Sequence, residues 1–195
     1  MITRCNWCGS DPLYVAYHDR EWGVPQHDGR ALWESLILEG FQAGLSWITV
    51  LRKRPAFRAE FEGFDPDRIA RWDEARIAQA LANPGIIRHR GKIEAAIRGA
   101  RAWQQIEAQE PGGFSGWIWS FTGGAPIRND RADPASIPVA TPESTALSKA
   151  LKARGFGYCG PVTVLAFMQA SGLVNDHLTG CFRHAEITAL SQPSG

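Results

Sequence analysis

One carboxylate stands alone in an uncharged, glycine-interrupted stretch, Leu38-Glu39-Gly40-Phe41-Gln42-Ala43-Gly44-Leu45-Ser46-Trp47. No cation adjoins it in sequence, so Glu39 either reaches solvent from a helix end or is a polar group aimed into a pocket. Gly40 and Gly44 permit close backbone approach, and Leu45, at a glycine turn, can be exposed. Trp7, Tyr17, Trp22 and Trp47 offer flat faces for stacking, although aromatic side chains more often fill cores. With eight Trp against three Tyr, the indoles call for a position-by-position explanation.

A second constellation involves soft ligands. His177 and Cys181 are four residues apart, a spacing that on a helix places both on one face, one turn from each other. A structural zinc takes four ligands, commonly two thiolates and two imidazoles, and the N-terminal segment can supply Cys5 and His18. Such a site would pin the two chain ends together. Cys8, three residues after Cys5, is a rival ligand, and spacing alone leaves that choice open. Four Cys in 195 residues make a poor disulfide framework, so metal outranks disulfide. Cys159 reads as a small buried filler.

The third is Arg154-Gly155-Phe156-Gly157-Tyr158-Cys159-Gly160-Pro161, a helix-hairpin-helix pattern. Gly155, Gly157 and Gly160 let the backbone approach a ligand, and a helix start beyond them offers free N–H groups to a phosphate oxygen. Lys149, Lys152 and Arg154 lie within 144–175, which holds no acidic residue, giving a local basic face. An ordinary helical hairpin with glycine caps would look similar. Arg52-Lys53-Arg54 and Arg88-His89-Arg90-Gly91-Lys92 are two further basic runs; singly, each reads as solvated surface.

Helices must position these groups. Asp11-Pro12 predicts a helix to about residue 19, Asp28 caps one to about 40, and Ser46 caps one from 47 to 53, with Pro55 starting or kinking the next stretch. Asp65-Pro66 starts another that ends at Asn83-Pro84-Gly85. The longest spans 90–109 with a core stripe of Ile93, Ile97, Ala100 and Ile106. A short aromatic helix covers 114–121, residues 123–141 read as a surface loop and a seam between lobes, and helices over 142–153 and from Pro161 flank the hairpin turn. No sustained strand alternation occurs, so the fold class is all-α.

A chain of 195 residues suits one domain or two small lobes, and 44% hydrophobic with 21% charged residues suits a globular protein. Net charge +1 excludes a global cationic argument for nucleic-acid binding, so any such surface must be local. With no run of about 18 apolar residues and no apolar core after Met1-Ile2-Thr3-Arg4, neither a membrane span nor a secretory signal is expected, and the cytoplasm is the default location.

Several ordered blocks then carry a resemblance: Asp11-Pro12-Leu13-Tyr14, Ala16-Tyr17-His18-Asp19, Glu21-Trp22-Gly23-Val24-Pro25, Leu38-Glu39-Gly40, and Gln42 through Leu51. They continue with Gly85 through Ile93, Trp119-Ser120-Phe121, Leu147 through Lys152, Phe167-Met168-Gln169-Ala170 and Gly172 through His177. Over residues 1–183 the chain resembles the bacterial DNA-3-methyladenine glycosylase I family.

The resemblance implies an all-α helix-hairpin-helix DNA glycosylase. A hairpin lobe covers 28–175, a small zinc-bearing lobe combines 1–27 with 176–183, and 184–195 form a flexible tail. It implies a structural zinc held by Cys5, His18, His177 and Cys181, which decides against Cys8. It makes Glu39, Tyr17 and Trp47 the pocket for an extruded base, with Trp7 nearby and Glu39 as the catalytic candidate. Leu45 becomes the wedge that fills the gap in the duplex, and Lys149, Lys152, Arg154, Gly155, Gly157 and Gly160 the DNA backbone contacts. The expected reaction is hydrolytic release of 3-methyladenine, with 3-methylguanine as a further substrate, from alkylated double-stranded DNA by a monomeric, nucleoid-associated enzyme. Relatives in the wider superfamily use an Asp beyond the hairpin, but Asp176 adjoins a metal ligand and is not assigned that role. No Lys occupies the pocket motif, so no Schiff-base lyase step is expected. Two rival readings are a non-catalytic reader of damaged DNA and a redox or catalytic metal centre built on Cys5 and Cys8.

Overall fold

Side-chain caps set the helix starts in the computed structural model, which describes residues 2–190. The Asp11 carboxylate accepts from the Leu13 and Tyr14 amides and Pro12 fills the first turn, opening α1 (Pro12–Arg20). Asp28 caps α2 (Gly29–Gln42) through the Ala31 amide. Then come α3 (Trp47–Glu60), α4 (Pro66–Ile69), α5 (Glu74–Ala82), α6 (Arg90–Gln109) and α7 (Gly113–Ser120). A Thr141/Ser144 capping box opens α8 (Pro142–Ala153), and α9 (Pro161–Ala170) and α10 (Phe182–Leu190) complete the helices among the described residues. Among the described residues the only sheet is a parallel pair, β1 (Ile127–Arg128) with β2 (Val174–Asn175), in the register Ile127 to Val174.

The core is built around α2, whose Leu32, Trp33, Leu36, Leu38 and Phe41 are buried against α3, α6, α7 and α9. The expected stripe of Ile93, Ile97, Ala100 and Ile106 on α6 is buried throughout. α8 and α9 pack together as the hairpin, and Tyr158 in their turn takes a left-handed φ of 53°.

Several expectations are corrected. α3 runs through Pro55, because burial of Val50, Leu51 and Phe57 holds the segment on both sides of it. Ser46 makes no cap bond; its hydroxyl instead lies 2.9 Å from that of Thr49. The helix expected from Asp65 to Asn83 is two, since Asp73 caps a second start through the Arg76 amide. His177 and Cys181 lie in the turn between β2 and α10, not on a helix, and the Cys181 amide closes that turn on the Leu178 carbonyl. The tail expected from 184 is helical to Leu190, because α10 buries His184 and Ile187; residues 191–195 lie outside the described residues.

The N-terminal segment is fastened to the end of α9. The Gly23 amide donates to the Ala170 carbonyl at 3.3 Å and the Gln26 amide to the Ser171 carbonyl at 3.0 Å. This approach requires glycine at 172: its φ is +73°, and an added Cβ would stand 2.4 Å from the Pro25 nitrogen and the Val24 carbonyl carbon. Backbone cannot yield as a side-chain tip can. Gly172→Ala is expected to lower stability by about 3 kcal/mol or more, read as a drop in the urea unfolding midpoint; an unchanged midpoint would show that this contact is dispensable.

Candidate functional site

A cavity of about 200 Å³ opens between the N-terminal segment, α2, α3 and α9, lined by Trp7, Tyr14, Tyr17, Trp22, Glu39, Gln42, Trp47, Ala166 and Gln169. Tyr14 and Tyr17 project from one face of α1, and their rings are 6.5 Å apart. Trp47, in the first turn of α3, lies 5.6 Å from Tyr17, while Trp7 meets Tyr14 and Trp22 at 5.0 Å each. The indole N–H groups of Trp7 and Trp47 are buried without a hydrogen-bond partner among the described residues.

Glu39, on the last full turn of α2, is 4% exposed, and no hydrogen bond or ion pair reaches its carboxyl among the described residues. Burial pushes its pKa up to about 8. Tyr17 is pushed well above the ordinary phenol range by burial, with the nearby Glu39 adding to it. Planar, electron-rich walls around one carboxyl suit a flat ligand that carries N–H groups and positive charge. Gln42 donates to the Leu45 carbonyl, tying this cavity to the exposed Gly44-Leu45 turn; Leu45 is 42% exposed.

Cys5, His18, His177 and Cys181 are all buried, and their donor atoms lie within 4.8 Å of one another. Sγ of Cys5 is 3.6 Å from Nδ1 of His177, and Sγ of Cys181 is 3.5 Å from Nε2 of His18 and 3.7 Å from Nδ1 of His177. Tetrahedral zinc–sulfur and zinc–nitrogen bonds of ordinary length make a sulfur–nitrogen edge of about 3.6 Å, so this donor set fits zinc. The outer partners fit as well: His18 Nδ1 is 2.8 Å from Asp19, which Arg4 grips, and His177 Nε2 is 3.0 Å from the Trp22 carbonyl. The contact between the two thiols lowers the pKa of Cys181 and, together with burial, raises that of Cys5, so the pair shares one proton unequally. Cys8 turns away, its thiol donating to the Cys5 carbonyl at 3.1 Å.

On the hairpin, Lys149, Lys152, Gly155 and Tyr158 are exposed and Gly160 starts α9. Arg154 differs from expectation. Its guanidinium pairs with Glu110 and lies 5.7 Å from the Trp117 ring centre, so it is not a free cation. The other basic runs are also largely committed. Arg52 pairs with Asp11, Arg54 with Glu21 and Arg90 with Glu74, while Lys53 donates to the Pro84 and Gly85 carbonyls. Arg88 and Arg98 are exposed and unpaired among the described residues; Arg98 stands beside Gly157, 3.5 Å from where a Cβ there would lie.

The methyladenine glycosylase family model matches residues 7–184. This chain belongs to the methyladenine glycosylase family. It is 51% identical over 181 residues to DNA-3-methyladenine glycosylase 1 of Escherichia coli, covering 92% of this chain and 96% of that protein. Its fold matches the crystal structure of a 3-methyladenine DNA glycosylase I with a TM-score of 0.90 at 55% identity, over 92% of this chain and 98% of that one. It also matches a variant of 3-methyladenine DNA glycosylase I solved in complex with 3-methyladenine, with a TM-score of 0.89 at 34% identity, over 98% of this chain and 99% of that one.

For this member of the methyladenine glycosylase family, sequence reasoning missed Tyr14, Gln42, Gln169 and Arg98. Tyr14 was within reach, since it stands three residues before Tyr17 on a capped helix. Gln169 reaches the cavity only through the packing of α9, and Arg98 reaches the hairpin turn only through that of α6.

Glu39 should give stability a distinctive pH dependence. Below its unfolded value of 4.5 both states hold the proton; between there and about 8 the unfolded chain releases it while the folded one keeps it, so stability falls as pH rises. Glu39→Gln abolishes that loss. The variant should match the parent near pH 4.5 and exceed it by a few kcal/mol at pH 8, gaining on the order of 1.4 kcal/mol for each pH step of one across that window. Urea titrations at both pH values measure the gap, and a pH-independent gap would contradict an unpartnered carboxyl.

Proposed function

We propose that this chain is a monofunctional DNA N-glycosylase that releases 3-methyladenine, with 3-methylguanine as a further substrate, from alkylated double-stranded DNA, leaving an abasic site. The observation that carries the reading is the aromatic cavity around Glu39, a carboxyl with no partner of its own among the described residues. A relative of the same fold is solved with 3-methyladenine bound.

The chemistry is set by the charge of the substrate. A base alkylated at N3 is a cation, so its bond to deoxyribose is already weak and departure needs no strong acid. Extruding it costs a few kcal/mol and places it between Tyr17 and Trp47, where stacking on indole or phenol faces returns about 1–2 kcal/mol. Trp7 adds a third face. Glu39 accepts hydrogen bonds from the exocyclic amine, and the positive ring draws its carboxyl toward the ionised form. As the C1′–N bond breaks, its electron pair neutralises the base, water adds to C1′, and the water proton leaves to solvent or to Glu39. Neutral adenine gains less from both stacking and charge, so it is passed over.

DNA is held by the hairpin backbone at Gly155, Gly157 and Gly160, by Lys149 and Lys152, and by Arg88 and Arg98, while Leu45 wedges the duplex. Zinc supplies a structural cross-link between the termini, bound by Cys5, His18, His177 and Cys181, and joins the segments 1–27 and 176–183 into a lobe beside the hairpin lobe 28–175. The enzyme acts as a monomer in the cytoplasm. A closed four-donor set leaves no open position for a substrate, which weighs against a catalytic metal centre.

Two experiments test this. Incubated with methylated duplex DNA, the protein should release free 3-methyladenine at many times the rate of Glu39→Gln, which loses about ten- to a hundredfold. Binding of damaged DNA without release would make the protein a reader instead. Elemental analysis should find one zinc per chain, retained in Cys8→Ala and lost in Cys5→Ala, and chelation should lower the melting temperature. Stable protein free of metal would refute the zinc.

A further inference from the structure

Asp176 is buried, and three side chains donate to it. Asn129 Nδ2 reaches Oδ1 at 2.7 Å, Arg131 Nε reaches the same oxygen at 3.4 Å, and Gln169 Nε2 reaches Oδ2 at 2.8 Å. With both oxygens engaged, Asp176 has no face to offer a substrate. Its effect is on Gln169. A carboxylate only accepts, so the Gln169 amide must turn its NH2 toward Asp176 and its Oε1 away. Gln169 lines the same cavity as Glu39, Tyr17 and Trp47, entering it from α9, whereas Glu39 comes from α2.

We propose that Gln169 is a second base-contacting acceptor in the cavity, presenting Oε1 to an N–H donor of the extruded base, and that Asp176 is the positioning residue that fixes this orientation. The inference rests on the base-pocket reading of the proposed function. Glutamine suits the task because its amide has two unlike faces; whichever faces the cavity decides whether the site accepts or donates. The device also explains why the segment 128–131 is fastened where it is. β1 pairs with β2, and Asn129 and Arg131 then saturate Oδ1 of Asp176, leaving Oδ2 for Gln169.

The arrangement makes an unusual prediction about Asp176→Asn. Asn129 and Arg131 both donate at Oδ1, so the new amide keeps its oxygen there and turns its NH2 toward Gln169. Gln169 must then flip to accept, aiming its own NH2 into the cavity at the N–H groups it formerly received. Tryptophan fluorescence titration with free 3-methyladenine, and kcat and KM on methylated duplex DNA, read the outcome. Gln169→Met, which keeps the side-chain length without the acceptor, should weaken 3-methyladenine binding about tenfold and act mainly through KM. Asp176→Asn should weaken it at least as much, and the double variant should bind no worse than Gln169→Met alone. Melting temperature and metal content are measured alongside, since His177 is adjacent. An Asp176→Asn penalty that persists in full on the Gln169→Met background would make Asp176 merely structural, and normal binding by Gln169→Met would overturn the proposal; that single variant decides if Asp176→Asn does not fold. The parent and Glu39→Gln are run in the same titration. If the parent does not bind 3-methyladenine, or Glu39→Gln binds it normally, the base-pocket reading has failed; if both behave as expected and Gln169→Met is normal, only this inference has.

Discussion

No cation pairs with Glu39 among the described residues, and the basic groups bound at the end of α2 and to the N-terminal segment have partners of their own. Lys92 is buried and donates to the Phe41 and Ala43 carbonyls at 2.9 and 2.8 Å, capping the end of α2, and burial lowers its pKa. Arg54 is held by Glu21. A desolvated, unpartnered carboxyl is costly to the fold, and it persists only because the apolar residues on the same helix, Leu32, Trp33, Leu36 and Phe41, are wholly committed to the core. The helix is anchored by its packing and held at its end by Lys92, so Glu39 cannot turn away toward solvent. Stability is given up at the place where a cationic ligand would recover it.

The Cys/His cluster and the cavity share their walls. Trp22 stands 4.5 Å from the His177 ring, Trp7 stands 5.3 Å from His18, and Tyr17 directly precedes His18 in α1. The His177 ring also touches the Trp22 carbonyl. The N-terminal segment, including α1, buries few apolar side chains of its own, chiefly Cys5, Cys8 and Tyr17. Held by the four-donor cluster on one side and by Ala170 and Ser171 on the other, it becomes a rigid aromatic wall. Small rotations of these indoles would change the cavity, so the packing of His18 and His177 against Trp7 and Trp22 bears directly on its shape.

Charge is distributed with similar economy. Many arginines are spent on carboxylates that join one helix to another segment, such as Arg54 to Glu21 and Arg58 to Glu34. Among the described residues the exposed cations without a carboxylate partner include Lys149 and Lys152 on α8 and Arg98 beside Gly157, as well as Arg20, Arg71 and Arg88 elsewhere. A protein of net charge +1 can thus present a local cationic face without a global one.

Much of this was determined by the sequence. The Asp-Pro signals fix where α1 and α4 begin, the apolar periodicity and the Pro111 stop place α6, and the blocks from Asp11 to His177 mark the family. These are local signals, carried by caps, spacing and composition. The break at Asp73, the passage of α3 through Pro55 and the turn that carries His177 and Cys181 were decided by packing, because burial on either side overrides a local start or stop signal. The loss of Arg154 to Glu110 and the union of Asp176 with Gln169 join residues distant in the chain or on separate elements. No spacing rule encodes a charge pair across 44 residues; only the folded chain fixes which cations are consumed and which face outward.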